Sequence, residues 1–142
     1  MEPIINFYSE NEFQLRDQEV YANWIKRIVV SEARVVGEIS YIFCDDDYLL
    51  ELNQKFLNHD TFTDIISFDD SVGNILSGDI FISTERVQEN SEQFSVPFDV
   101  ELKRVMAHGV LHFCGYKDGT QEEVLEMRRK EEEKMKMFHV EQ

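Results

Sequence analysis

A chain of 142 residues, 42% apolar and 12% aromatic, has the size and composition of one folded domain with a real hydrophobic core rather than of a disordered segment. Its two cysteines, Cys44 and Cys114, are too few for a disulfide scaffold and are expected as free thiols in a reducing compartment. With 29 acidic against 14 basic residues, the formal net charge of -15 repels nucleic acid and anionic membranes and argues against non-specific phosphate binding.

The first ten residues carry neither a basic region nor a long apolar run, so no signal peptide is expected. No apolar run approaches the roughly 20 residues that span a bilayer, and a cytoplasmic protein without membrane contact is expected. Residues 3–8 read as a first strand. Leu15, Val20, Trp24, Ile25 and Ile28 recur at helical spacing and suggest an amphipathic helix over residues 11–30. Gly37 should end the next link and residues 38–44 form a strand running into Asp45, Asp46 and Asp47. That triplet suits the N-terminus of a helix carrying Leu49, Leu50, Leu52 and Phe56, and lasting to about Asn58; calcium binding would need the regular loop spacing of oxygen ligands.

Residues 64–69 and 78–83 read as strands joined through Gly73 and Asn74. They are close enough to pair antiparallel, with a mixed sheet equally open. A short helix is expected over residues 84–93. Pro97 should sit in the first turn of a helix carrying Leu102, Val105, Met106, His108 and His112. Thr120 with Glu123 forms a capping box for a last helix reaching about Phe138, solvated and packed on one face through Val124, Met127, Met135 and Met137. No repeat, linker or second domain is visible, so residues 1–142 are expected to form a single domain.

The segment HGVLHFCGYKD, residues 108–118, carries the chemistry. Four residues separate His108 from His112, so one helical turn brings both imidazoles to one face. Gly115 permits the helix to stop and the chain to turn back, offering Asp118 as a third ligand. Two imidazoles and a carboxylate suit a divalent transition metal with one coordination position open. The blander alternative is that one histidine packs against the core and the other complements a helix C-terminus. A glutamate base following the first histidine, as in zinc proteases, is absent, because that position is Gly109. Gly109 instead permits close approach by substrate or a neighbouring strand. Cys114, two residues beyond His112, is expected to point elsewhere.

His108, Gly109, Leu111, His112, Gly115 and Tyr116 resemble the central motif of the YbeY family of bacterial rRNA maturation endoribonucleases. Two further blocks match in order: Leu52, Asn53, Phe56, Asp60, Thr63, Asp64, Ser67 and Phe68, then Gly78, Asp79, Ile80 and Ser83. The resemblance covers roughly residues 35 to 135. It implies an α+β domain with a small mixed sheet packed with helices, and a metal-binding helix at a cleft, zincin-like in general shape. It also implies one zinc ion per chain and cleavage of single-stranded RNA in ribosomal RNA maturation and ribosome quality control, with the small ribosomal subunit as partner. The metal would be held by His108, His112 and Asp118, which act catalytically through it. Thr63, Ser67, Lys103 and Tyr116 would contact substrate, with Tyr116 alternatively packing behind the ligand turn. Asp64 and Asp79 would support the ligands or hold a loop.

Two positions depart from the family pattern. Asp118 stands where the family usually has histidine, and Leu57 where it usually has an arginine associated with phosphate contact. His59, Lys103, Arg104 and Lys117 are the nearby candidates to compensate. The acidic side chains are expected to gather away from the cleft, around Glu10, Glu12, Asp17 and Glu19 and around Glu131 to Glu133. The cleft is expected to be near neutral or locally positive through the metal, Lys103, Arg104 and Lys117. A metal-dependent hydrolase of a small molecule or peptide, and a non-enzymatic ribosome assembly protein with a structural metal, remain as alternatives.

Overall fold

The chain runs β1 (Ile4–Ser9), α1 (Gln18–Ser31), β2 (Val35–Cys44), α2 (Asp46–Phe56), β3 (Ile65–Asp69), β4 (Ile75–Ser83), α3 (Thr84–Gln93), α4 (Phe98–Phe113) and α5 (Gln121–Lys136), closing on a 3-10 turn. The computed structural model describes residues 2–57 and 62–139. The four strands form one mixed sheet in the order β1-β2-β4-β3. β1 and β4 both run parallel to β2, while β3 is antiparallel to β4, pairing Ile65 with Ile82 and Ser67 with Ile80. The fold is therefore α+β with a small sheet and helices on its faces.

Strand alternation decides which side chains meet which helix. Ile39, Tyr41, Phe43, Ile80, Ile82 and Ile65 face α1 and α4 in the main core, where Trp24 is fully buried. Cys44, Leu49 and Ile66 form a smaller cluster, with Phe68 and Phe81 packed against it. The Tyr41 hydroxyl donates to the Met106 carbonyl at 2.8 Å, tying the central strand to α4. Gly109 is where α4 comes closest to the sheet. A Cβ there would lie 2.9 Å from Ile80 Cγ2 and 3.0 Å from Ile65 Cδ1, so the glycine admits a neighbouring strand.

Several boundaries differ from the sequence reading. α1 starts at Gln18, not residue 11, because Asp17 takes a left-handed conformation (φ 58°) ahead of it; Leu15 is nevertheless buried. β2 begins at Val35 and runs through Gly37, where the register to β4 shifts between Val36 and Ile39. β4 likewise begins at Ile75. Asp45 occupies the N-cap of α2 without a side-chain cap bond, while Asp46 accepts from Ser83 Oγ at 2.6 Å and pairs with Arg86 at 2.8 Å. Pro97 is the N-cap of α4, one position ahead of its first turn. α3 and the Thr120–Glu123 capping box match expectation. α5 buries Met127, Glu131 and Lys134, whereas Val124 is exposed.

Candidate metal centre

The last turn of α4 ends as the segment 108–118 suggests. The Tyr116 N–H donates to the Leu111 carbonyl and the Gly115 N–H to that of His112, with Gly115 at φ 106°: a Schellman cap. The reversal returns Asp118 to the histidines. His108 Nε2 and His112 Nε2 are 3.0 Å apart, and Asp118 Oδ2 stands 3.2 Å from the first and 3.4 Å from the second. Three donor atoms around a tetrahedral zinc, with bonds near ~2.1 Å, would be roughly 3.4 Å from one another, so this set fits the ion. An ion held by these three donors would keep a fourth position for solvent or substrate.

Behind His108 lies a group that sequence reasoning placed on a solvated face. Glu131 of α5, 3% exposed, receives the His108 Nδ1–H at 2.6 Å. That bond sets the tautomer: with the proton on Nδ1, the Nε2 lone pair faces the other donors. Arg104 braces Glu131 from the side at 3.3 Å and reaches Glu101 at 3.6 Å. Burial works to lower the His108 pKa, but the Glu131 hydrogen bond and the charges of Glu131, Asp118 and Asp64 outweigh it and raise it above the ordinary value. The signal for Glu131 was its spacing: it follows Met127 by four and precedes Lys134 by three, on the buried stripe of α5. An acidic run around it hid that.

Two cavities share His108, Asp118, Asp64 and Ile65 as a common wall. The larger, about 650 Å³, is lined further by Asn53, Leu57, Phe62, Thr63, Ser67 and His112. The smaller, about 240 Å³, lies towards α5 and includes Asn90, Arg104, Arg128 and Glu131.

The sequence matches the family described as "Endoribonuclease YbeY" over residues 5–139. The chain belongs to the endoribonuclease YbeY family. It is 60% identical to the endoribonuclease YbeY of Christiangramia forsetii, over 97% of this chain and 96% of that one. To that of Flavobacterium psychrophilum it is 58% identical, over 98% and 99%. Its fold is similar to the solution structure of TM1509 from Thermotoga maritima, with a TM-score of 0.66, 27% identity, and coverage of 96% of this chain and 90% of that one.

With the YbeY motif blocks placed in space, the expected substrate residues divide. Thr63 and Ser67 line the larger cavity. Ser67 shares the α4 side of the sheet with Ile80, and its hydroxyl is buried without a hydrogen-bond partner among the described residues. Thr63 Oγ1 donates to the Ile65 carbonyl. Lys103 is not at the cleft, contrary to expectation. Five positions before His108, it lies about 140° round the helix, and its ammonium sits 4.0 Å over the Phe138 ring and pairs with Asp99. Tyr116 is also displaced from the cleft: it packs behind the ligand turn, donating to Glu32 at 2.8 Å. Lys117 lies on that outer side.

Asp64 borders both cavities, accepts from Asn90 at 3.4 Å, and is raised in pKa chiefly by burial. The imidazole support expected of it comes from Glu131. Asp79 is exposed in β4 and alternates with the α4-facing Ile80, so it lies on the other side of the sheet. His59 and Asp60 fall outside the described residues. The larger cavity is not neutral or positive: Asp64, Asp69 and Asp118 line it with no lysine or arginine among the described residues. Cys44 and Cys114 are free and buried, and burial pushes the Cys114 thiol up to about 11. No helix among the described residues is long and apolar enough to cross a membrane.

Proposed function

We propose that this chain is a cytoplasmic, single-domain endoribonuclease that cleaves single-stranded RNA in ribosomal RNA maturation. On this reading, one zinc ion per chain is held by His108, His112 and Asp118. The observation that carries it is the convergence of those three donors within 4.8 Å of one another at a cleft, in a chain that belongs to an endoribonuclease family. The donor set is two neutral nitrogens and one carboxylate oxygen, which leaves room for a substrate or water. A bound ion of this kind supplies a Lewis acid that acidifies water and offsets negative charge on a phosphoryl group.

The protein's own groups do the rest. Glu131 holds the Nδ1 proton of His108 and keeps Nε2 turned towards the cleft. Asp118 brings negative charge to the donor set, which lowers the net charge of the centre relative to three imidazoles. Ser67 presents a buried hydroxyl able to donate to an RNA oxygen. Thr63 lines the same cavity, and Leu57 and Phe62 offer apolar surface to a base. The acidic cleft makes affinity for naked RNA weak and salt-dependent, so docking on a ribosomal particle, the small subunit in this reading, supplies local concentration.

The test compares zinc-loaded protein on single-stranded RNA, ribosomal particles, peptides and nucleotides across roughly 20 to 200 mM salt, with His112→Ala alongside. Cleavage of RNA or particles by the wild type alone is expected. Faster turnover of a peptide or nucleotide, or RNA cleavage retained by His112→Ala, overturns the reading.

A further inference from the structure

An RNA strand entering a cavity walled by Asp64, Asp69 and Asp118 needs cationic help from outside it. Among the described residues, geometry removes the nearest candidates in sequence. Lys103 is committed to Phe138 and Asp99, and Lys117 lies on the outer side of the ligand turn. Arg104 has its guanidinium engaged by Glu101 and Glu131.

Arg128 differs from all of these. It lines the smaller cavity together with His108 and Asp118, yet it is exposed. No carboxylate of a described residue stands within ion-pair distance of it. Its backbone is anchored, because Met127 before it and Glu131 after it are both buried in α5. The stem is therefore held while the head remains available.

We propose that Arg128 is a phosphate-binding residue of the RNA site, taking a backbone phosphate that flanks the one reaching His108, His112 and Asp118. The inference rests on the nuclease reading and deepens it. A guanidinium offers phosphate two parallel donors, and one without a carboxylate partner breaks no ion pair to do so. The position is also the right one. Leu57 gives the larger cavity apolar surface only, whereas Arg128 approaches the shared wall from the α5 side, so the strand would cross the metal centre from the larger cavity towards the smaller. Long-range charge is consistent with this: Asp64 and Glu101, both raised chiefly by burial, are each drawn back by Arg128.

The test measures binding of a 2′-O-methyl single-stranded oligoribonucleotide, which keeps every phosphate, to zinc-loaded wild type, Arg128→Ala, Arg128→Lys and Arg129→Ala. Arg129 is the neighbouring exposed control and pairs with Glu126. Arg128→Ala should bind several-fold more weakly at low salt. Its slope of log affinity against log salt should be shallower by about 0.7, the value for one phosphate contact on a single strand. Arg128→Lys should recover most of the affinity, and Arg129→Ala should match the wild type. In steady-state cleavage of ordinary RNA, Arg128→Ala should raise KM and leave kcat, metal content and melting temperature nearly unchanged. A wild type that binds in a salt-dependent way while Arg128→Ala binds as tightly with the same slope overturns this inference alone. A wild type that neither binds nor cleaves RNA overturns the nuclease reading and this inference with it.

Discussion

Replacing Glu131 by glutamine removes one charge and almost no volume from behind His108. The carboxylate is 3% exposed, takes the His108 Nδ1–H at 2.6 Å and holds Arg104 at 3.3 Å. The amide keeps an acceptor for the imidazole but loses the charge that makes Nε2 a stronger donor. Loss of such an outer partner costs about 10- to 100-fold in metal affinity. Glu131→Gln should fall near the lower figure and Glu131→Ala, which removes the acceptor as well, near the upper. The metal-free protein should suffer less than for a fully broken buried pair, about 2 kcal/mol against roughly 3–5, because Arg104 keeps Glu101 at 3.6 Å. At about 3 °C per kcal/mol for a chain of this size, that is a fall in Tm of about 6 °C in chelator. Competition for zinc against a chromophoric chelator gives the first quantity and a melt the second. Glu131→Gln that melts lower but binds zinc as tightly as the wild type would refute the part given to Glu131 in orienting His108 and leave it a purely structural anion.

Asp118→Asn should lower metal content after dialysis while leaving the melt in chelator unchanged, since the Asp118 side chain is 47% exposed and props up little else; full metal content would point to another third ligand. Gly109→Ala should lower stability by about 1–2 kcal/mol, the overpacking against Ile80 and Ile65 exceeding the gain in helix propensity, and an unchanged urea midpoint would mean the strands yield freely. Burial acts to raise the Glu32 pKa, but hydrogen bonds from Lys134, Tyr116 and Lys130 bring it below its ordinary 4.5. Its ionised form is thus favoured by folding, so the stability lost in Glu32→Gln should be full above that value and fade as pH falls below it. A difference between wild type and variant that stays constant from neutral pH into acid contradicts the assignment.

Features encoded over a few residues were legible in the sequence. The histidine spacing, the Gly115 reversal, the Thr120–Glu123 box and the helix over residues 84–93 depend on near neighbours, and residue type reports those directly. Features that depend on distant partners were not. β2 extends back to Val35 because Val35 and Val36 pair with Ile75 and Leu76 of β4, which local alternation does not reveal. α1 starts late because of one left-handed residue, Asp17. Lys103 and Arg104 look equivalent in sequence, but only Arg104, four residues before His108, shares its helix face. Glu131 reads as one of several solvated acids until α5 is laid against α4.

Placing that carboxylate on the last helix has a consequence for biosynthesis. A chain emerging from the ribosome carries His108, His112 and Asp118 as soon as α4 and its reversal are made, but the group that orients His108 arrives only with α5. Until then the imidazole lacks the carboxylate that would hold its proton on Nδ1. On the zinc reading proposed above, docking of the C-terminal helix would complete the support of His108, so an unfinished chain would be the poorer competitor for metal.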